Sequence, residues 1–229
     1  MNAFKKIITI TAFSLSLAAC GEQAGDTSQG WVGGEDPILA EAYTGKDWSK
    51  VYSGTDVRDG VVYGTIVVGN PDAPVDIVEF GSLTCSHCAT FNNEYAKELK
   101  ESYVKRGIAK ISFKNYLFSA IDISASKMAR CTGPDRAYPV LDMLFQRQGD
   151  WIYDQTMAEL ISIGRRVGVN RAKFDACMKN KGLETAMAEM TSEAATLGVQ
   201  GTPTFFVNGT MVGDVTSHWK LMNAVKSAR

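Results

Sequence analysis

The chain has 229 residues, 45% hydrophobic and 21% charged, enough for one domain with an insertion or for two small domains. Its 24 basic and 25 acidic side chains leave a formal charge of −1 with no basic cluster or aromatic-basic interleaving, which excludes nucleic acid as a partner. Five cysteines are what composition leaves to be explained.

Residues 1–19 read as a secretory signal. Lys5-Lys6 form a positive n-region, Ile7 to Leu17 is an apolar stretch too short to span a bilayer, and Ala18-Ala19 are small. Leu17-Ala18-Ala19-Cys20 followed by Gly21 is similar to a bacterial lipobox, in which Cys20 receives lipid and becomes the mature N-terminus. Ordinary small-residue cleavage, with Cys20 incidental, is the alternative. Several acyl chains at about 0.8 kcal/mol per buried methylene would anchor the protein firmly. The implied location is the periplasm, lipid-anchored to the cell-envelope membrane of a Gram-negative cell, or the outer leaflet where a single membrane exists. With Cys20 assigned to lipid, four cysteines remain, an even number in an oxidising compartment.

Residues 20–60 are rich in Gly, Ser, Thr, Asp and Glu and read as a flexible tether, with at most a short ordered piece around Pro37 to Tyr43. Val61 to Val68 then predicts a strand or a pair of short strands. A turn follows at Gly69-Asn70-Pro71-Asp72-Ala73-Pro74. Val75 to Phe80 is the next strand, and it leads into Cys85-Ser86-His87-Cys88. Beyond that motif Phe91, Tyr95, Leu99 and Tyr103 recur on one helical face, so the two cysteines sit at a strand-to-helix junction.

A thiol at a helix N-terminus loses its proton readily, because unpaired backbone N–H groups and the positive end of the macrodipole favour an anion. His87 is placed to add a second donor or a positive charge. The pattern predicts attack at or release of Cys85, with Cys88 as the second sulfur. Half a zinc site is the first rival, but Cys131 and Cys177 are far apart and supply no second short-spaced pair, so no metal is expected. Haem attachment needs the histidine after the second cysteine, where this chain has Ala89. A purely structural bridge across two residues would close almost no loop.

Ile108 to Phe118 is a third strand, completing a parallel βαβ unit. Residues 119–198 contain only helical spacings, broken at Gly133-Pro134, Gln148-Gly149-Asp150, Gly164 with Gly168, and Lys181-Gly182, with Asn170 as an N-cap. This stretch reads as an inserted helical subdomain. Cys131 and Cys177 fall on the apolar stripes of their helices, where they either bridge two helices or stay as buried thiols. Strands return at Thr204 to Val207 and Thr210 to Val212 around Asn208-Gly209, a strong hairpin signal. A final helix begins near Ser217, a plausible N-cap, with His218 at its start as a surface or packing residue.

Together, CSHC at a βα turn, a helical insertion and the run Gly201-Thr202-Pro203-Thr204-Phe205-Phe206-Val207-Asn208-Gly209 resemble the DsbA family of thiol:disulfide oxidoreductases. The resemblance implies an α/β thioredoxin fold over residues 61–118 and 199–229 with the all-helical subdomain at 119–198. The longer run Gly69 to Cys88 is similar to the alphaproteobacterial branch, whose members can carry a second disulfide, here Cys131 to Cys177. The family also implies a cis Pro203 that presents the backbone of Thr202 to an extended substrate beside Cys85. By position alone Pro203 is equally compatible with a trans bond opening an edge strand. Glu79 matches the family's buried acid, a proton acceptor or electrostatic tuner for Cys88; a salt-bridged strand glutamate is the plainer reading. Ser86 departs from the proline of the best-known members, which puts the strength of the oxidant in doubt.

The chain is expected to be a monomer with no cofactor beyond the Cys85–Cys88 disulfide. Its substrates would be exported cysteine-containing proteins, and it would be reoxidised by a membrane quinone-linked, DsbB-like partner. The rivals are a reductase or isomerase of the same fold, a non-enzymatic peptide-binding lipoprotein and a metal-handling thiol protein.

Overall fold

A computed structural model describes residues 52–153, 156–214 and 218–228. The signal, Cys20, the proposed ordered piece at Pro37 to Tyr43, and the Ser217 cap lie outside the described residues.

At the centre lies β5 (Val75–Gly81), between β6 (Ala109–Asn115), which runs parallel to it, and β7 (Thr204–Val207), which runs antiparallel. Ile77 faces Ile111 on one side and Val207 on the other. Outward from β6 come β4 (Ile66–Val68) and β1 (Tyr52–Gly54); outward from β7 comes β8 (Thr210–Asp214). A separate two-stranded ribbon pairs β2 (Val57–Arg58) with β3 (Val61–Val62). Asn208 and Gly209 both take positive φ, 47° and 80°, which a two-residue hairpin of this type requires.

The helix after β5, α1, is built from the successive pieces Ser86–Thr90, Phe91–Tyr95, Ala96–Leu99 and Lys100–Val104, the second and fourth π-helical. The apolar spacing explains this. Residues four apart overshoot a 3.6-residue turn by about 40°, and wider π turns absorb the excess. Phe91, Leu99 and Tyr103 are thereby buried on one line, with Tyr95 packed beside them.

After β6 the chain enters α2 (Ala120–Arg130), α3 (Pro134–Gln146), α4 (Gln148–Trp151), α5 (Thr156–Arg166), α6 (Arg171–Lys179) and α7 (Lys181–Thr196). The last helix, α8, spans His218–Ser227. Gly133 and Pro134 open α3, and Asn170 caps α6 by accepting from the Lys173 N–H at 2.9 Å. Leu83, Phe91, Phe113, Leu144, Phe145 and Trp151 share one buried cluster, so the insertion packs directly on the α1 side of the sheet. Phe80, Ala194, Val199 and Phe206 fill the opposite face.

Arg130, fully buried, ties these parts together with no carboxylate among its direct partners in the described residues. It donates from Nη1 to the carbonyls of Val62 at 3.0 Å and Gly64 at 2.5 Å, and from Nε to Asn115 Oδ1 at 2.8 Å. Its Nη2 lies 3.4 Å from Met190 Sδ on α7.

Three expectations are corrected. Residues 52–58 are not tether: Tyr52 pairs with Val68 and Gly54 with Ile66 at the sheet edge. Backbone hydrogen bonds build that strand, and side-chain alternation does not show it. Gln148-Gly149-Asp150 is not a break but most of α4, the chain bending instead at Arg147. Lys181-Gly182 opens α7 behind Asn180, whose side chain accepts from the Leu183 N–H at 2.9 Å.

Candidate active site

Cys85 has extended backbone geometry, φ −81° and ψ 121°, and occupies the N-cap position of α1. Its side chain makes no capping bond, so the sulfur is left to the chemistry. Cys85 is half-buried, whereas Cys88, one turn further on, is completely buried; both are free thiols here. A reactant from solvent can therefore reach only the first sulfur.

Across from it the Thr202–Pro203 bond is cis, and the Thr202 carbonyl accepts from Cys85 Sγ at 3.3 Å. That contact belongs to the protonated thiol. The Thr202 hydroxyl is buried with no partner, and it is the group able to turn and donate once the thiol ionises. A hydrogen bond from the Cys88 thiol, aided by the Thr202 side chain and the backbone N–H groups of Cys88 and His87, lowers the Cys85 pKa to about 5 against partial desolvation. Cys88 moves the other way, well above an ordinary thiol, because burial, its bond to Cys85 and the Glu79 charge all oppose ionisation. The two sulfurs are thus split into a stable thiolate and a basic partner.

Glu79 is buried on β5 with Oε1 unpartnered. Desolvation, reinforced by the Asp142 carboxylate and opposed by Lys100, raises its pKa to about 8. Lys100 and Asp142 form an ion pair at 2.5 Å, and Asn92 donates to the same carboxylate at 3.0 Å. A carboxyl near enough for its charge to bear on Cys88, and titrating near physiological pH, can exchange a proton there.

His87 contributes differently from the expectation. Its backbone N–H serves the thiolate, while its ring is exposed to solvent. His218 stacks flat on Tyr95, ring centroids 4.5 Å apart and planes within 4°. Cys131 and Cys177 are joined as a disulfide with Cα atoms 6.3 Å apart, buried with Leu183 and Met187 away from the dithiol. Among the described residues no three His, Cys, Asp or Glu side chains converge as metal ligands would.

Two residues at the dithiol carry no signal in the sequence pattern. Asp122 and Gln148 reach Ser82–Cys85 from the insertion, across sequence separations of 40 and 63 to 65 residues. No local pattern could pair them with the motif.

A dithiol opening a helix, a facing cis-proline loop and this sheet order with its helical insertion define a thioredoxin-like fold. The Thioredoxin family model matches residues 62–227, and the chain belongs to that family. A Rickettsia felis protein whose name places it among the protein-disulfide oxidoreductases is 31% identical over 152 residues, 65% of this chain and 55% of that one. The chain thus spans little more than half the length of such relatives. Disulfide bond formation protein D of Bacillus subtilis is 24% identical over 191 residues, covering 78% of this chain and 84% of its own. The crystal structure of Wolbachia pipientis alpha-DsbA1 matches with a TM-score of 0.66 at 21% identity, over 72% of this chain and 90% of that one, a likeness of fold.

Proposed function

We propose that the protein is a DsbA-like thiol:disulfide oxidoreductase that introduces disulfides into exported proteins. The observation that carries this reading is the asymmetry of the dithiol: an accessible Cys85 with an acidic thiol over a buried, basic Cys88. A substrate thiolate attacks Cys85 Sγ of the Cys85–Cys88 disulfide, the S–S bond breaks, and Cys88 leaves with the electron pair. Its high proton affinity is met by the neutral Glu79 carboxyl. A second substrate thiolate then attacks the substrate sulfur of the mixed disulfide and expels Cys85 as thiolate. The substrate dithiol is oxidised by two electrons and the protein is reduced by the same two. Stabilising that thiolate favours the reduced protein, so the disulfide is an oxidant.

Thr202 supports this reading as the backbone partner of an extended substrate. Beside it opens a cavity of about 370 Å³ lined by Gly198, Val199, Gln200, Gly201, Thr204 and Met211, able to take a neighbouring substrate side chain. The signal-like residues 1–19 and Cys20 support export and lipid anchoring in the periplasm, and the DsbA-like reading brings with it a membrane quinone-linked partner as reoxidant.

The test is the redox equilibrium of the mature chain in glutathione buffers, read by alkylation of Cys85. A midpoint well to the oxidising side of the glutathione couple is expected. A midpoint near that of thioredoxin would replace the oxidase with a reductase or isomerase of the same fold.

A further inference from the structure

Ser82 to Cys85 lie between β5 and α1. The Cys85 N–H bonds back to the Ser82 carbonyl at 3.2 Å, and the Cys85 carbonyl accepts from the Ala89 N–H of α1 at 3.1 Å. That leaves the Ser82 hydroxyl and the Leu83 N–H and carbonyl to find partners from outside both elements. The helical insertion supplies them from two directions. Asp122, fully buried on α2, accepts the Ser82 hydroxyl at 2.6 Å and the Leu83 N–H at 3.0 Å. Gln148, the first residue of α4, donates through Nε2 to the carbonyls of Leu83 at 2.9 Å and Cys85 at 3.0 Å. Ser82 passes the constraint along the loop: its Oγ lies 3.0 Å from Thr84 Oγ1 and accepts from the Thr84 N–H at 3.2 Å.

The carboxylate doing this is itself built in. Asp122 also accepts from the Phe118 N–H at 3.2 Å and from the Ser126 hydroxyl at 3.4 Å. Ser126 accepts from Asn115 Nδ2 at 2.8 Å, and Asn115 Oδ1 accepts from Arg130 Nε. Ser82, Asn115, Asp122, Ser126 and Arg130 are all completely or almost completely buried. A buried anion is thereby linked, donor to acceptor, to a buried cation, an arrangement in which each member fixes the geometry of the next.

We infer that Asp122 and Gln148 are positioning residues of the redox site: they fix the backbone from Ser82 to Cys85, and with it the angle at which the first amides of α1 meet the Cys85 sulfur. Hydrogen bonds weaken steeply as their angle closes. Loosening the loop therefore costs thiolate stabilisation while the surrounding fold persists. A pure charge effect of Asp122 has the opposite sign, because removing a nearby anion favours a thiolate.

The inference rests on Cys85 being the reacting thiol, and the experiment separates the two claims. The pH dependence of Cys85 alkylation and the glutathione equilibrium are measured on the mature chain and on Gln148→Ala and Asp122→Asn, alongside thermal unfolding. In Gln148→Ala, the midpoint of Cys85 alkylation is expected to rise by about one pH unit from its parent value of about 5, which lowers alkylation at pH 6 about twofold. The glutathione equilibrium is expected to become less oxidising in step, with the unfolding temperature nearly unchanged because Gln148 is partly exposed. Asp122→Asn is expected to move both readouts further in that direction.

If the parent's Cys85 titrates as an ordinary thiol, the proposed function itself fails. If the parent titrates low and folded Gln148→Ala titrates with it, the positioning role alone is overturned, as it is for Asp122 if Asp122→Asn makes the thiol more acidic. Should Asp122→Asn not fold, Gln148→Ala decides.

Discussion

The chain holds two cysteine pairs in opposite surroundings. Cys85 and Cys88 stand one turn apart at a helix start, one sulfur reachable and made acidic by the Cys88 thiol and neighbouring donors, the other buried and kept protonated by desolvation. Cys131, which caps the C-terminus of α2, and Cys177 on α6, 46 residues apart, are bridged inside an apolar cluster with Leu183, Met187 and Ile123. The element is the same; what differs is whether an anion on sulfur has anything to stabilise it. A disulfide closing 46 residues restrains the unfolded chain, whereas a bridge across two residues restrains almost nothing and is free to serve as a reagent.

Separate substitutions of the two pairs break this comparison most sharply. Cys85→Ala is expected to lower the rate of disulfide formation in a reduced test protein by roughly three orders of magnitude or more, with little change in unfolding temperature. Replacing Cys131 and Cys177 together is expected to do the reverse, costing about 3–4 kcal/mol in denaturant unfolding while exchange persists. Exchange lost in the double variant with stability intact would invert the assignment.

Glu79 sharpens the comparison through pH. Its folded-state pKa of about 8 lies above the ordinary 4.5, so ionising it costs stability progressively as pH rises from 4.5 to 8. Glu79→Gln is therefore expected to match the parent near pH 4 and to exceed it at pH 8 by on the order of 2–4 kcal/mol in urea unfolding of the reduced proteins. The same variant is expected to slow the departure of Cys88 by roughly 10–100-fold in stopped-flow exchange. A parallel pair of stability curves would place Glu79 outside this role. The smallest effect concerns the helix that carries Cys177: Asn170→Ala removes its cap and is expected to cost about 1 kcal/mol by thermal unfolding, with unaltered exchange.

How much was legible in the sequence follows the distance over which each feature is encoded. The strand, the dithiol and the helix stripe after it are contiguous, and Asn208-Gly209 states its own turn chemistry. Pro203 is different: 117 residues separate Thr202 from Cys85, so only resemblance to a known family brought them together. Tyr52–Gly54 could not be read as a strand because three residues at a sheet edge carry no alternation and depend on partners in β4. Gln148 was hidden by its neighbours, since Gly149 and Asp150 look like a break while its amide serves two carbonyls of the redox loop. The sequence puts a histidine between the two cysteines without indicating that its backbone N–H, beside an exposed ring, is what serves the Cys85 sulfur.

Arg130 bears on how the molecule comes apart. Burial alone pulls its pKa down to about 9, yet it stays a cation at neutral pH, held by carbonyls of the β3–β4 segment, an amide of β6 and the sulfur of Met190 on α7. Peeling the helices from the sheet would pull the Arg130 guanidinium away from its acceptors on the β3–β4 segment and β6, and water would have to take their place. The insertion is consequently not a detachable module. Sheet and helices are joined through one buried side chain as well as through a shared apolar cluster, so an opening that frees the insertion has to break both.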